Sequence, residues 1–195
     1  MTIQTAGGPV FDSAAPAPLR CGLAAGIAAV LAVSAVIFGG CGGGNGENVE
    51  PAPNFSFALY QGEAELGARE MEVGQLRGKP VVLNFWAGLC PPCRAEMPDL
   101  QLFYEEYKDR VLLVGIDIGQ FTGLGSTSDA ISLLQELEVT YPAGFTEDAS
   151  VVPRYEVLGM PTTVFIDADG AIFKTWTGLL TRGVLEEHTN AMLSQ

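Results

Sequence analysis

Apolar residues fall along this chain in runs that differ in length and spacing. The longest run covers residues 22–38, GLAAGIAAVLAVSAVIF, and contains no charged residue. After residue 54, short apolar runs alternate with segments in which apolar side chains recur at helical spacing, which is typical of strands alternating with helices. The pattern predicts an α/β domain with a central mixed sheet flanked by helices, preceded by an N-terminal hydrophobic segment.

The short runs and the helical repeats define the individual elements. The run 81–86 is apolar apart from Asn84, which is typical of a strand buried on both faces. The hydroxyl groups of 126–128 can cap a helix, and Asp169-Gly170 suits a two-residue hairpin turn. Predicted strands cover 55–59, 64–66, 81–86, 111–118, 142–145, 162–167 and 171–176, and predicted helical segments cover 92–108, 129–137, 149–155 and 181–193.

The N-terminal run has the layout of an export signal or of a single membrane anchor, because Arg20 precedes it and acidic residues follow it. Phe38-Gly39-Gly40-Cys41 resembles the lipobox of bacterial lipoproteins, in which cleavage leaves the cysteine as a lipidated first residue. Lipidation of Cys41 and an uncleaved anchor both tether the domain to the extracytoplasmic face of the bacterial cell membrane. The predicted organisation is a signal peptide or anchor at 1–41, a flexible linker at 42–53 and a folded domain at 54–195.

Charge and histidine content narrow the possible functions. The chain has 23 acidic and 10 basic residues, a formal net charge of −13, which excludes nucleic-acid binding through phosphate neutralisation as a main function. The one histidine, His188, removes multi-histidine metal sites and most histidine-based catalysis. Its place on a polar stretch of the last helix predicts that it faces solvent. Cysteine or carboxylate chemistry remains.

Cys90 and Cys93 stand two residues apart, directly after a predicted buried strand and at the start of a predicted helix. A helix N-terminus favours a thiolate, so Cys90 is the predicted nucleophile and Cys93 the residue that resolves its mixed disulfide. A zinc site would need a second cysteine pair, but Cys21 and Cys41 lie in or beside the apolar run. A purely structural disulfide would close only a very short loop. Redox chemistry without a bound cofactor or metal is therefore predicted.

Two separated motifs resemble the thioredoxin-like superfamily in its TlpA/ResA-like extracytoplasmic branch. The first is NFWAGLCPPCRAEMP at 84–98, and the second is GMPTT at 159–163. The resemblance implies a thioredoxin-like fold, thiol:disulfide oxidoreductase activity, and a cis bond before Pro161 beside the cysteine pair. It also implies that the backbone of Met160 pairs with an extended substrate.

The resemblance assigns further residues position by position. Glu96 matches the glutamate that influences the second cysteine in this branch, whereas Asn84 replaces the buried aspartate of cytoplasmic thioredoxins. Leu89 stands where the family usually has tryptophan. The predicted catalytic residues are Cys90, Cys93 and Glu96, the predicted substrate-binding residues are Met160, Pro161, Trp86 and Leu89, and Cys41 is the predicted lipidation site.

The resemblance favours a reductant of client protein disulfides, such as those of cytochrome c maturation, that a membrane electron-transfer partner re-reduces. Two alternatives stay open. A peroxiredoxin-like peroxidase would need Thr or Ser three residues before the reactive cysteine, where this chain has Ala87. A Sco-like copper-binding assembly protein would space its cysteines by three and use a histidine, unlike the pair here.

Overall fold

A computed structural model describes residues 50–195. The predicted signal or anchor, Cys21 and Cys41 lie outside the described residues. The strands are β1 Ser56–Gln61, β2 Glu70–Glu72, β3 Val81–Trp86, β4 Leu112–Asp117, β5 Ala143–Phe145, β6 Thr162–Ile166 and β7 Ile172–Thr177. The helices are α1 Glu63–Leu66, α2 Pro91–Tyr107, α3 Gly119–Thr122, α4 Thr127–Glu136, α5 Val151–Arg154 and α6 Arg182–Leu193, with a 3-10 turn at Val73–Leu76.

The strands form one sheet in the order β2-β1-β5-β4-β3-β6-β7. β3, β4 and β5 run parallel to one another, and the other neighbouring pairs are antiparallel. The sheet is therefore mixed, as the alternation of strands and helices predicts. In all of 50–195, no helix combines the length and apolarity needed to cross a bilayer.

β3 lies at the centre of the sheet, and every one of its residues is buried. Side chains alternate between the two faces of a strand, so Val82, Asn84 and Trp86 point to one face. That face packs against α2, α4 and α6 and contains both redox cysteines. Phe85 and the other alternate residues pack into a second apolar cluster on the opposite face. The strand therefore lies between two hydrophobic layers, and it ends within the motif that contains the two cysteines.

Three predictions about local structure are wrong, and two of them concern the N-terminal part of the domain. Residues 64–66 are not a strand but part of α1, which Gly62 and Gly67 bound in left-handed conformations that glycine adopts without strain. The folded part begins before 54, because Ala52 N donates to Gly170 O at 2.9 Å and Pro51 bridges to Ala171.

The third is the prediction that His188 faces solvent, because the residue is half-buried. Its ring contacts Phe165 and Trp176 with centroid separations of 5.4 and 5.5 Å, and its Nε2 is buried. The helical register of α6 turns this residue towards the sheet, because Leu185, Thr189 and Met192 form the buried face of the helix.

Candidate active site

The two cysteines lie where β3 passes into α2. Cys90 is the N-cap of α2, with extended backbone angles, and its Sγ accepts a hydrogen bond from Cys93 N at 3.2 Å. Pro91 and Pro92 occupy the first helical positions, where the missing backbone N–H removes no helical hydrogen bond. Cys90 and Cys93 are joined by a disulfide. The structure therefore represents the oxidised protein.

The cysteines differ in their access to solvent. Cys90 is 2% exposed and Cys93 is completely buried, so an incoming thiol or disulfide reaches Cys90 first. Leu89 is 60% exposed and forms part of the surface directly before Cys90. The roles of Cys90 as the attacking residue and of Cys93 as the resolving one stay predictions, in which resolution takes place inside the protein.

Tight packing holds the loop between β3 and Cys90. A Cβ atom on Gly88 would lie 2.5 Å from Ala130 N and 2.5 Å from Asp129 C, both in the first turn of α4. Only glycine allows this approach between the loop and the helix. A capping box between Ser126 and Asp129 fixes the start of α4. The active-site loop therefore rests on a rigid helix terminus.

Glu96 lies three residues after Cys93 on α2 and is buried. Its Oε1 accepts a hydrogen bond from Asn84 Nδ2 at 2.8 Å, and its Oε2 accepts one from Leu180 N at 2.9 Å. Asn84 Nδ2 also donates to Thr163 Oγ1 at 3.0 Å. The carboxylate is therefore held by residues from β3 and from the loop between β7 and α6.

Burial raises the pKa of Glu96 from its ordinary value of 4.5 to about 7, and the hydrogen bonds from Leu180 and Asn84 oppose part of that increase. A carboxyl group with a pKa near neutrality can both accept and donate a proton. Asn84 Oδ1 has no hydrogen-bond partner within the described part of the chain. Rotation of the Asn84 amide would let this oxygen accept from protonated Glu96, so the asparagine can serve both protonation states.

Pro161 follows a cis peptide bond with Met160, as the resemblance implies. It directly precedes β6, whose first residue Thr162 pairs with Phe85 near the end of β3. Gly178 N donates to Pro161 O at 2.8 Å. The segment with Met160 and Pro161 therefore lies at the same end of the sheet as the cysteine pair.

Exposed apolar side chains surround this end of the sheet. Leu158, just before the second motif, is 89% exposed, and Leu179, just after β7, is exposed as well. We call the exposed residues Leu89, Leu158 and Leu179, which stand next to the two motifs or to the end of β7 in the chain, the apolar rim. The sequence motifs do not identify Leu158 or Leu179, although Leu158 directly precedes GMPTT. Exposed apolar side chains are available for contact with an apolar segment of another molecule.

The structure contradicts one predicted substrate contact. Trp86 is completely buried beside Gly115 and Tyr141. Its side chain therefore packs in the core and cannot touch a substrate in this structure. Thr163, the last residue of the second motif, joins the site through Asn84, and the backbone N–H of Leu180 joins it through Glu96. No local sequence pattern indicates Leu180. Within residues 50–195 no group of three or more His, Cys, Asp or Glu side chains could hold a metal ion.

Comparisons with known proteins agree with this geometry. Residues 49–175 match the AhpC/TSA family, and the chain belongs to that family. Its fold is thioredoxin-like. Its class is that of the thiol-disulfide oxidoreductases of the ResA type. The resemblance, the fold class and the enzyme class predicted from sequence are confirmed.

Two relatives and one solved structure illustrate the similarity. The thiol-disulfide oxidoreductase ResA of Oceanobacillus iheyensis is 34% identical over 146 residues, which cover 75% of this chain and 73% of the relative. ResA of Bacillus subtilis is 29% identical over 140 residues, covering 71% and 72% of the two chains. The crystal structure of StoA from Bacillus subtilis is similar with a TM-score of 0.58 at 23% identity, over 71% of this chain and 97% of that chain.

Proposed function

We propose that this protein reduces disulfides of client proteins outside the cytoplasm with electrons from the Cys90–Cys93 dithiol. The observation that carries the proposal is the placement of Cys90 at a helix N-terminus with Cys93 completely buried behind it and the buried carboxyl group of Glu96 further along the same helix. The helix N-terminus stabilises a Cys90 thiolate in the reduced protein.

The proposed reaction has two exchange steps. The Cys90 thiolate attacks a client disulfide, so a Cys90–client disulfide forms while the client S–S bond breaks and one client thiolate leaves. Cys93 then loses its proton and attacks Cys90 Sγ, which restores the Cys90–Cys93 disulfide and releases the second client thiolate. Two electrons pass from the dithiol to the client, and the client thiolates take up protons. The product is the oxidised state seen in the structure.

Glu96 is the proposed proton acceptor for Cys93. Cys93 is completely buried, so its thiol has no direct contact with bulk water. Residues three apart on a helix are neighbours on its surface, which places Glu96 next to Cys93. With a pKa of about 7, Glu96 can take the Cys93 proton near neutral pH and pass it on when the disulfide has formed.

The apolar rim and the Met160–Pro161 segment are the proposed client contacts. An extended client segment would align its backbone with Met160 and place apolar side chains on Leu89 and Leu158, whose exposure is otherwise unfavourable. Pro161 lies beside this path because β6 and β3 are paired. The resemblance makes the haem-binding cysteines of apocytochrome c, or cysteines of copper-site assembly proteins, the candidate clients.

The first 41 residues are the proposed membrane tether, either through lipid on Cys41 or as an uncleaved anchor. A tethered oxidoreductase needs a source of electrons at the membrane, so a membrane electron-transfer partner would return Cys90–Cys93 to the dithiol. Radiolabelled fatty acid tests the lipid, since Cys41→Ser would abolish labelling and Cys21→Ser would not. Labelling that persists in Cys41→Ser would refute lipidation at Cys41.

Client trapping tests the reductase function. In Cys93→Ser the mixed disulfide on Cys90 is not resolved, so covalent client adducts should accumulate in the native membrane and disappear on treatment with a thiol reductant. Cys90→Ser should form none and should lose protein disulfide reduction completely. Full reductase activity in Cys90→Ser would refute the mechanism. The redox state of the client that accumulates when the protein is absent reports the direction.

Ala87 supports reduction of disulfides over reduction of peroxides. It is completely buried three residues before Cys90, and its methyl group supplies no hydroxyl to orient a peroxide. We expect hydrogen peroxide consumption to stay at background in the full protein. Consumption that depends on Cys90 would favour the peroxidase.

A further inference from the structure

Asp117 is a buried acid that the proposed reaction does not use. It ends β4, pairs in register with Trp86 of β3, and is 1% exposed. Its Oδ1 accepts a hydrogen bond from Gly119 N at 2.9 Å, and its Oδ2 accepts one from Tyr60 Oη at 3.1 Å. Across 50–195 it forms no ion pair with a basic side chain. Burial raises the pKa of Asp117.

Burial of an acidic group without a neighbouring cation costs free energy. The hydrogen-bond partners of Asp117 show which segments of the chain its carboxylate holds together. Tyr60 is on β1, where its ring stacks on Phe145 with a centroid separation of 5.2 Å. Asp117 therefore ties the start of α3 to a strand two positions away in the sheet. A hydrophobic residue of the same size could fill this space but could not accept either hydrogen bond.

The segment held by Asp117 continues to the redox site. We call residues 119–125 the flanking segment. Leu124 O accepts a hydrogen bond from Leu89 N at 2.7 Å. A Cβ atom on Gly125 would lie 3.3 Å from Leu89 Cγ, and one on Gly119 would lie 3.3 Å from Ala87 Cβ. Both ends of the flanking segment therefore lie against the active-site loop, one beside Ala87 and the other beside Leu89.

We propose that Asp117 is a positioning residue that holds the flanking segment against Leu89, and thereby sets the affinity of the apolar rim for protein disulfides. Asp117 acts through Gly119, the flanking segment and the Leu124–Leu89 hydrogen bond, and does not itself contact the cysteines. This inference rests on the proposed reduction of protein disulfides. A small disulfide reagent needs only Cys90, so its reaction is independent of the rim.

The test compares two substrates in the full chain. Insulin reports protein disulfide reduction with dithiothreitol as electron donor, and dithiobis(nitrobenzoic acid) reports the reactivity of reduced Cys90. Asp117→Ala should raise KM for insulin about tenfold, while kcat and the rate with the small reagent stay within about twofold. Asp117→Asn should stay within about threefold of the wild type, because its amide oxygen still accepts from Gly119 and Tyr60 Oη can accept from its NH2.

The matched control is Asp148→Ala, which removes a carboxylate that accepts from Ser150 N at 2.9 Å, beside α5 on the opposite face of the sheet. It should leave both substrates unaffected. Equal losses on both substrates in Asp117→Ala, or an unchanged KM for insulin, would overturn the proposal. If Asp117→Ala does not fold, Tyr60→Phe removes only the hydroxyl donor and should raise the same KM about threefold.

A second readout separates this inference from the proposed function. Hydrogen–deuterium exchange that resolves the Leu89 amide should become about tenfold faster in Asp117→Ala and should not change in Asp148→Ala. Unchanged exchange at Leu89 refutes the positioning role whatever the result with insulin. A wild-type protein that reduces no insulin refutes protein disulfide reduction. In that case the exchange rate of the Leu89 amide alone tests whether Asp117 holds the flanking segment against Leu89.

Discussion

Replacement of Glu96 by glutamine should change how the stability of the protein depends on pH. Glu96 has its pKa raised from 4.5 to about 7 because it is buried. The folded state therefore binds the proton more tightly than the unfolded state, and this contribution to stability is complete below pH 4.5. It is lost as pH rises through about 7, since ionisation of the buried group is then required.

The size of the effect follows from the two pKa values. A difference of one in pKa corresponds to about 1.4 kcal/mol. Ionisation of Glu96 therefore lowers the free energy of unfolding by about 3 kcal/mol between pH 4.5 and pH 8. Whole domains of this size are stable by about 5–15 kcal/mol, so the change is large enough to measure. Glu96→Gln has nearly the same shape and does not ionise, so this part of the pH dependence should vanish.

The assay is urea unfolding of the oxidised full protein at pH 4.5, 6 and 8. In Glu96→Gln the side-chain oxygen can still accept from Leu180 N, and rotation of the Asn84 amide lets its oxygen accept from the new NH2 group. Any remaining cost of the substitution is the same at every pH. The informative quantity is therefore the difference in the free energy of unfolding between Glu96→Gln and the wild type. Between pH 4.5 and pH 8 this difference should shift by about 3 kcal/mol in favour of Glu96→Gln.

Glu105→Gln is the control, because Glu105 is an exposed carboxyl group on the same helix. It should follow the wild type closely at all three pH values. If the curves for Glu96→Gln and the wild type run parallel from pH 4.5 to pH 8, Glu96 ionises normally and its role as proton acceptor for Cys93 is refuted.

Three further predictions concern the same site. Asn84→Asp places a second carboxyl group beside Glu96 and should lower the free energy of unfolding at pH 8 by about 2–4 kcal/mol, because adjacent carboxylates resist joint ionisation; unchanged urea midpoints would contradict this. Gly88→Ala puts a methyl group 2.5 Å from the α4 backbone and should cost about 2 kcal/mol in urea unfolding, whereas Gly183→Ala, which meets nothing within 4 Å, should change stability by less than about 1 kcal/mol. Leu158→Ser should keep the melting temperature within about 2 °C and raise KM for insulin about threefold, since this side chain is 89% exposed; an unchanged KM would remove Leu158 from the rim.

The motifs were sufficient to predict the redox pair, because its chemistry is local. Cys90 and Cys93 are close in sequence, and the strand before them and the helix after them each follow from a short apolar pattern. The same reasoning located Pro161, since the second motif is equally compact. It failed for residues 64–66 and for His188, where two glycines and the packing of α6 on the sheet decide the conformation.

Local patterns in the chain were enough to specify the fold class, the oxidoreductase class and the two cysteines. The buried carboxyl groups around the site became visible only once the chain was folded. Glu96 depends on Leu180, which is 84 residues away, and Asp117 depends on Tyr60, which is 57 residues away. Burial and hydrogen bonding of a carboxyl group arise from the meeting of distant segments, and no local spacing contains that information.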